Sequence, residues 1–123
     1  MFFNMISYSK MNFLIQKYNI FSAKPVNSEE EARQIGEYLA HKLYDGSNLV
    51  DFGRYEKVPQ VDDDGEMYSV WYRLYPRRYI VPNHIPLPNG EPRERLEYSL
   101  GGGGPQIEIE KSTGKILDWG LQK

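Results

Sequence analysis

Apolar side chains along the chain follow two rhythms, one of three and four residues near the N-terminus and one of two residues further on. Met11, Leu14, Ile15 and Tyr18 share one face while Lys10, Asn12, Gln16 and Lys17 lie elsewhere, which predicts a short amphipathic helix around residues 4–18. Such a helix covers a sheet, or else anchors on a membrane or partner surface; its few lysines favour the first reading. Pro25-Val26-Asn27 breaks the pattern, and Ser28-Glu29-Glu30-Glu31 then supplies a capping box and three acids at the positive end of a helix dipole. Ala32, Ile35, Leu39 and Leu43 carry that helix over 29–44, and Tyr44-Asp45-Gly46 closes it.

Beyond residue 46 the pattern is that of strands. Val58 and Val61 with Tyr55 suggest a strand over roughly 54–61, with Pro59 near an edge or its end. Asp62-Asp63-Asp64-Gly65-Glu66 reads as a tight acidic turn. Met67 to Tyr75 is aromatic and β-branched; Tyr68, Val70, Tyr72 and Leu74 share one face, and Met67, Ser69, Trp71, Arg73 and Tyr75 the other. Five prolines between Pro76 and Pro92 predict that 76–104 is largely loop, with a short strand piece at Tyr79-Ile80-Val81 and a brief strand or helix turn within 93–100. Gly101 to Gly104 and Pro105 read as a flexible lead-in. Ile107 and Ile109 then alternate with Gln106, Glu108 and Glu110, Lys111-Ser112-Thr113-Gly114 turns, and Lys115 to Trp119 returns, predicting a C-terminal hairpin.

Composition narrows the class. The 123 residues fit one domain, 1–123, with a single modest core. A formal charge of −2 gives no general basic surface for nucleic acid, but it is unevenly spread. Residues 1–28 hold three lysines and no acid, 29–66 hold 11 acids against 4 bases, and 67–123 hold 8 bases against 6 acids. Cysteine is absent, so disulfides, thiolate catalysis and Cys-ligated zinc are not available. No apolar run reaches the length of a signal-peptide core or a membrane span, and the expected location is cytoplasmic.

Little in the sequence points to catalysis. His41 and Asp45 stand one helical turn apart, but a His and an acid at a helix C-terminus gain dipole and pair energy without any chemistry. The acidic turn lacks the alternating ligands and distal glutamate of a calcium loop. No Ser/His/Asp order, phosphate-cradling glycine loop or metal motif stands out, so no catalytic residue, metal or cofactor is assigned. Recognition is better represented. Asp62, Asp63, Asp64 and Glu66 suit a basic partner, Trp71 and Tyr75 offer aromatic contact, and Arg77 and Arg78, with Arg93 and Arg95, suit an acidic one.

The run Gly103-Gly104-Pro105-Gln106-Ile107-Glu108-Ile109-Glu110-Lys111, followed by Thr113-Gly114-Lys115-Ile116-Leu117, resembles the C-terminal signature of a bacterial immunity-protein family with a nuclear transport factor 2-like fold. The capped helix from Val26 to Gly46 and the strand around Tyr68 and Val70 occur in the order that family shows, so the resemblance spans about residues 26–46, 66–75 and 101–120. The connection 76–104 is longer than the family's usual one. The resemblance implies an α+β fold, with N-terminal helices on a small, curved antiparallel sheet that ends in a hairpin. It also implies a function: neutralising a cognate toxin by direct binding, the toxin being basic, as a nuclease is, if the acidic turn is the contact. Two other readings stay open, a small-ligand-binding or isomerase-like member of the same superfamily and a homodimer subunit that buries its two-sided aromatic strand.

Overall fold

A computed structural model of the chain describes residues 8–81, 85–91, 93–97 and 103–122. Positions 4–7 of the opening helix, 98–100 of the segment after Arg93, and Gly101 and Gly102 of the lead-in lie outside the described residues. Helix α1 runs Tyr8–Phe21, three residues beyond the expected end, and α2 runs Glu29–Tyr44 as its caps and period predict. Ser28 Oγ accepts the Glu31 N–H at 3.1 Å, while Glu31 Oε2 accepts the N–H of Asn27 at 2.9 Å, so the box closes one residue earlier than the usual reciprocal pair.

Six strands follow among the described residues: β1 Gln60–Asp63, β2 Met67–Trp71, β3 Arg77–Ile80, β4 Glu94–Glu97, β5 Pro105–Glu110 and β6 Ile116–Leu121. An antiparallel sheet in the order β1-β2-β5-β6 carries both helices on one face, and β3 and β4 form a separate antiparallel pair. The architecture is therefore α+β. Among the described residues no helix is long and apolar enough to cross a membrane.

Three expectations change. The strand expected over 54–61 begins only at Gln60. Phe52–Arg54 is instead a turn of 3-10 helix whose Asp51 cap accepts the Gly53 N–H at 3.0 Å, and Tyr55 makes a single bridge to Leu74. Pro59, with no N–H to give a ladder, sits just ahead of the strand, and its carbonyl accepts from Arg33 Nε at 3.3 Å. Asp62 and Asp63 consequently belong to β1, and the turn shrinks to Asp64-Gly65-Glu66. The short pieces expected at 79–81 and within 93–100 are by contrast present, as β3 and β4, and they pair with each other as a hairpin. Pro105 is the first residue of β5 and is buried; its carbonyl accepts the Tyr72 N–H at 3.2 Å, so the chain is already part of the sheet there.

Pairing register shows where the core lies. The cross-strand rows Val61–Val70–Ile107–Trp119 and Tyr68–Ile109–Ile116 face the helices. Val70, Ile107, Ile109 and Leu43 are fully buried, each worth roughly 1.5–3 kcal/mol of transfer free energy. Helix α2 comes so close to β2 that a Cβ on Gly36 would stand 2.5 Å from Val70 Cγ1. Gly114, at φ +75°, lies under the α1–α2 connection, where a Cβ would meet the Lys24 carbonyl oxygen at 1.8 Å. This hairpin turn therefore requires glycine for its backbone and for its neighbour alike. Asn19 on α1 closes part of the sheet edge: its Oδ1 accepts the Ile116 N–H at 2.7 Å and its Nδ2 donates to the Ile116 carbonyl at 3.1 Å.

Candidate functional site

No described helix covers the far side of the four-stranded sheet. Its side chains also fall into cross-strand rows. Asp62, Ser69, Glu108 and Asp118 lie opposite one another across all four strands, and Gln60, Trp71, Gln106 and Gly120 form the next row. With strands about 4.8 Å apart, the first row sets three carboxylates within about 15 Å.

A bulge makes this row possible. Strict alternation would place Asp118 on the same side as buried Ile116. Pairing runs Ile109 to Ile116 but Glu108 to Asp118, so Leu117 is the extra residue, and beyond it every side chain changes face. Asp118 thereby joins Glu108 outside, and Trp119 turns inward, its ring stacked on Tyr8 at 5.3 Å between centroids. Glu108 and Asp118 are then two acids directly opposite each other, an arrangement that costs stability on a strand pair. Glycine at 120 leaves a shallow depression of about 110 Å³ beside them, lined also by Gln106.

The rest of the face is held in place by diagonal hydrogen bonds. Trp71 Nε1 donates to Asp62 Oδ2 at 3.0 Å, and Gln106 Nε2 donates to Ser69 Oγ at 3.0 Å. Asp118 Oδ1 accepts the Trp119 N–H at 2.9 Å. The half-buried indole of Trp71 thus lies beside a carboxylate on a rigid strand. Chemically the surface offers anionic acceptors in a row and an aromatic ring, which suits guanidinium and ammonium groups.

The sequence candidates divide between several places. Asp62 and Trp71 meet on this face. Asp63 serves the fold: its Oδ1 accepts from Lys111 Nζ at 2.5 Å and from the Gly65 N–H at 3.0 Å, and these bonds, Lys111 first, hold its carboxyl below the usual range. The same bond raises Lys111, whose ammonium also lies 4.5 Å from the centre of the Tyr68 ring. Asp64 and Glu66 occupy the exposed turn, Tyr75 lies past the end of β2 and is half exposed, and Arg77 and Arg78 belong to the separate β3–β4 pair. The residues not taken as binding candidates are Glu108, Asp118, Ser69 and Gln106. For Gln106 and Glu108 the signal was the alternation opposite Ile107 and Ile109; Ser69 and Asp118 join them only through strand register and the bulge at Leu117.

His41 and Asp45 do form a pair, 3.0 Å from Nδ1 to Oδ1, on the surface of α2. The imidazole stacks on Phe52 at 4.1 Å, and Phe52 meets Tyr72 edge-on at 5.5 Å. This is the local helix-end interaction expected of the pair. The Tyr72 hydroxyl is buried beneath with no hydrogen-bond partner among the described residues, and burial pushes its pKa upward, helped by the charges of Glu37 and Asp45. Among the described residues no group of three or more His, Cys, Asp or Glu side chains is placed to hold a metal ion.

No protein-family model matches the chain, and no curated protein or solved structure matches it either.

Proposed function

We propose that the protein is an immunity protein that binds a basic toxin through the acidic face of its sheet that no described helix covers, and thereby obstructs the toxin. The row Asp62–Ser69–Glu108–Asp118 carries this reading. Two acids directly opposite each other cost the free protein stability, and a lysine or arginine seated between them converts that repulsion into charge-assisted hydrogen bonds. The bulge at Leu117, which aims Asp118 at this face, supports the same reading, since bulges re-aim side chains at sites of this kind. Trp71 supplies a flat aromatic anchor, the residue type that dominates binding energy at interfaces. Relative to the sequence reading, which places the contact at the acidic turn 62–66, only Asp62 of that turn remains and the contact moves to the middle of the sheet.

Two helices on one face of an antiparallel sheet that ends in a hairpin are what the resemblance to the nuclear transport factor 2-like immunity family implies, and they support that kinship. The acidic field would speed encounter with a basic partner and make association salt-dependent.

The test is titration calorimetry with the product of the adjacent gene, comparing the parent with a Glu108→Gln/Asp118→Asn variant. Loss of two desolvated acids is expected to weaken binding about a hundredfold or more. Unchanged affinity in that variant, or in Trp71→Ala, would remove the sheet face as the contact.

A further inference from the structure

Helix α1 is apolar on two sides, and the core covers only one of them. Met11 and Ile15 are buried, with Leu14 and Tyr18 packed beside them. On the opposite side Lys10, Phe13, Lys17 and Ile20 follow at three- and four-residue spacing with Phe21 adjacent, so they form one stripe. Phe13 is 62 % exposed, Ile20 73 % and Phe21 78 %. Scattered exposed apolar residues need no explanation, but three large ones on one stripe of one helix do.

Charge indicates what covers them. Residues 1–28 contain three lysines, Lys10, Lys17 and Lys24, and no acid. All three are exposed, two of them on the stripe itself and Lys24 just past the helix. Two copies of this chain docked stripe to stripe would set lysine against lysine, because a two-fold contact is self-complementary and the stripe holds no acid to offset them. The sequence just before the helix adds Phe2, Phe3, Met5 and Ile6 and no charged residue. Beside the stripe a groove of about 220 Å³ opens between α1 and α2, with Leu14, Leu39 and Leu43 in its wall and Lys17 and Lys42 among the residues that line it. Helix α1 carries no acid of its own; on the helix side Asp63 is held by Lys111, and Glu31 lies beside Lys24 in the groove behind α1, off the stripe.

We infer that the outer stripe of α1 seats the protein on an anionic lipid surface. Phe13, Ile20 and Phe21 enter the boundary between head groups and acyl chains, while Lys17 and Lys24 extend along the apolar surface to lie among the phosphates. This inference is independent of what binds the sheet face.

Flotation with vesicles tests it, using phosphatidylglycerol mixed into phosphatidylcholine against phosphatidylcholine alone. The full chain is expected to float with the anionic vesicles only and to be released by salt. Lys17→Gln is expected to weaken binding about fivefold. Phe13→Ser/Phe21→Ser is expected to abolish it while leaving the thermal melt unchanged, because both rings are already in solvent. Equal binding to both vesicle types, no binding to either at millimolar lipid, or full binding by the double serine variant would each overturn the inference. A solution dimer that the serine variant dissolves would also overturn it and assign the stripe to a second copy.

Discussion

Replacing Gly36 by alanine measures how closely α2 is seated on the sheet. On an isolated helix the change is favourable by about 1 kcal/mol, because glycine is the weaker helix former. Here the new Cβ would stand 2.5 Å from Val70 Cγ1, 2.6 Å from its Cβ and 2.9 Å from its Cγ2. Carbon atoms pack comfortably at about 3.5–4.0 Å, so the helix must lift or the strand yield by about 1 Å. Val70 is β-branched, fully buried and flanked by Ile107 and Val61, which leaves it no rotamer to escape into. Overpacking of this kind costs about 1–3 kcal/mol, and with three atoms in conflict the upper part of that range applies. The net expectation is a loss of roughly 1–2 kcal/mol. It is read as a fall in the urea midpoint at unchanged slope. Val70→Ala removes two of the three conflicting atoms, so in the double variant the losses should fall short of their sum by about 1 kcal/mol. A Gly36→Ala protein that is more stable than the parent, with additive effects of Val70→Ala, would refute the close seating of α2.

Other expectations follow from single contacts. Tyr72→Phe removes a buried hydroxyl that has no partner among the described residues, so stability in urea should hold or rise by about 1 kcal/mol rather than fall. Asn19→Ala strips two hydrogen bonds from Ile116 at the sheet edge and should cost about 2 kcal/mol in the same assay. Burial pushes the Tyr44 phenol up to about 12 from an ordinary value near 10. A group raised in the fold contributes fully below its unfolded pKa, so roughly 2–3 kcal/mol should drain away between about pH 10 and 12, and Tyr44→Phe should flatten that slope.

How much of this was legible in the sequence depends on the range of the interaction. Helix α2 was readable in full because its cap, its period and its stop all lie within a few residues of one another. The turn and the isoleucine face of the β5–β6 hairpin are local signals and were readable too, whereas the bulge at Leu117 and the start of β5 at Pro105 were not. The start of β1 was not readable, because Tyr55 and Val58 are apolar yet belong to a 3-10 turn and the segment leading out of it, fixed by Asp51 and by the Arg73–Glu56 pair at 3.1 Å. The strand pieces of the β3–β4 hairpin were legible, but their pairing was not, because it joins segments across a proline-rich connection. The acid row was the least readable. Asp62, Glu108 and Asp118 are far apart in the chain, and only the register of three strand pairs, with one bulge at Leu117, brings them into line. The role of Gly36 likewise depends on Val70 and not on its helical neighbours.

Glu108 and Asp118 are opposed across β5 and β6 at a cost to the free protein, which the proposed basic partner would offset. The most direct measurement is the urea midpoint of Glu108→Gln set beside its protection of cells against the product of the adjacent gene. Relief of the repulsion should leave stability equal or higher by a few tenths of a kcal/mol to about 1 kcal/mol, while protection is lost. A variant that is less stable than the parent and still protects would show that neither the repulsion nor the partner contact lies at this pair.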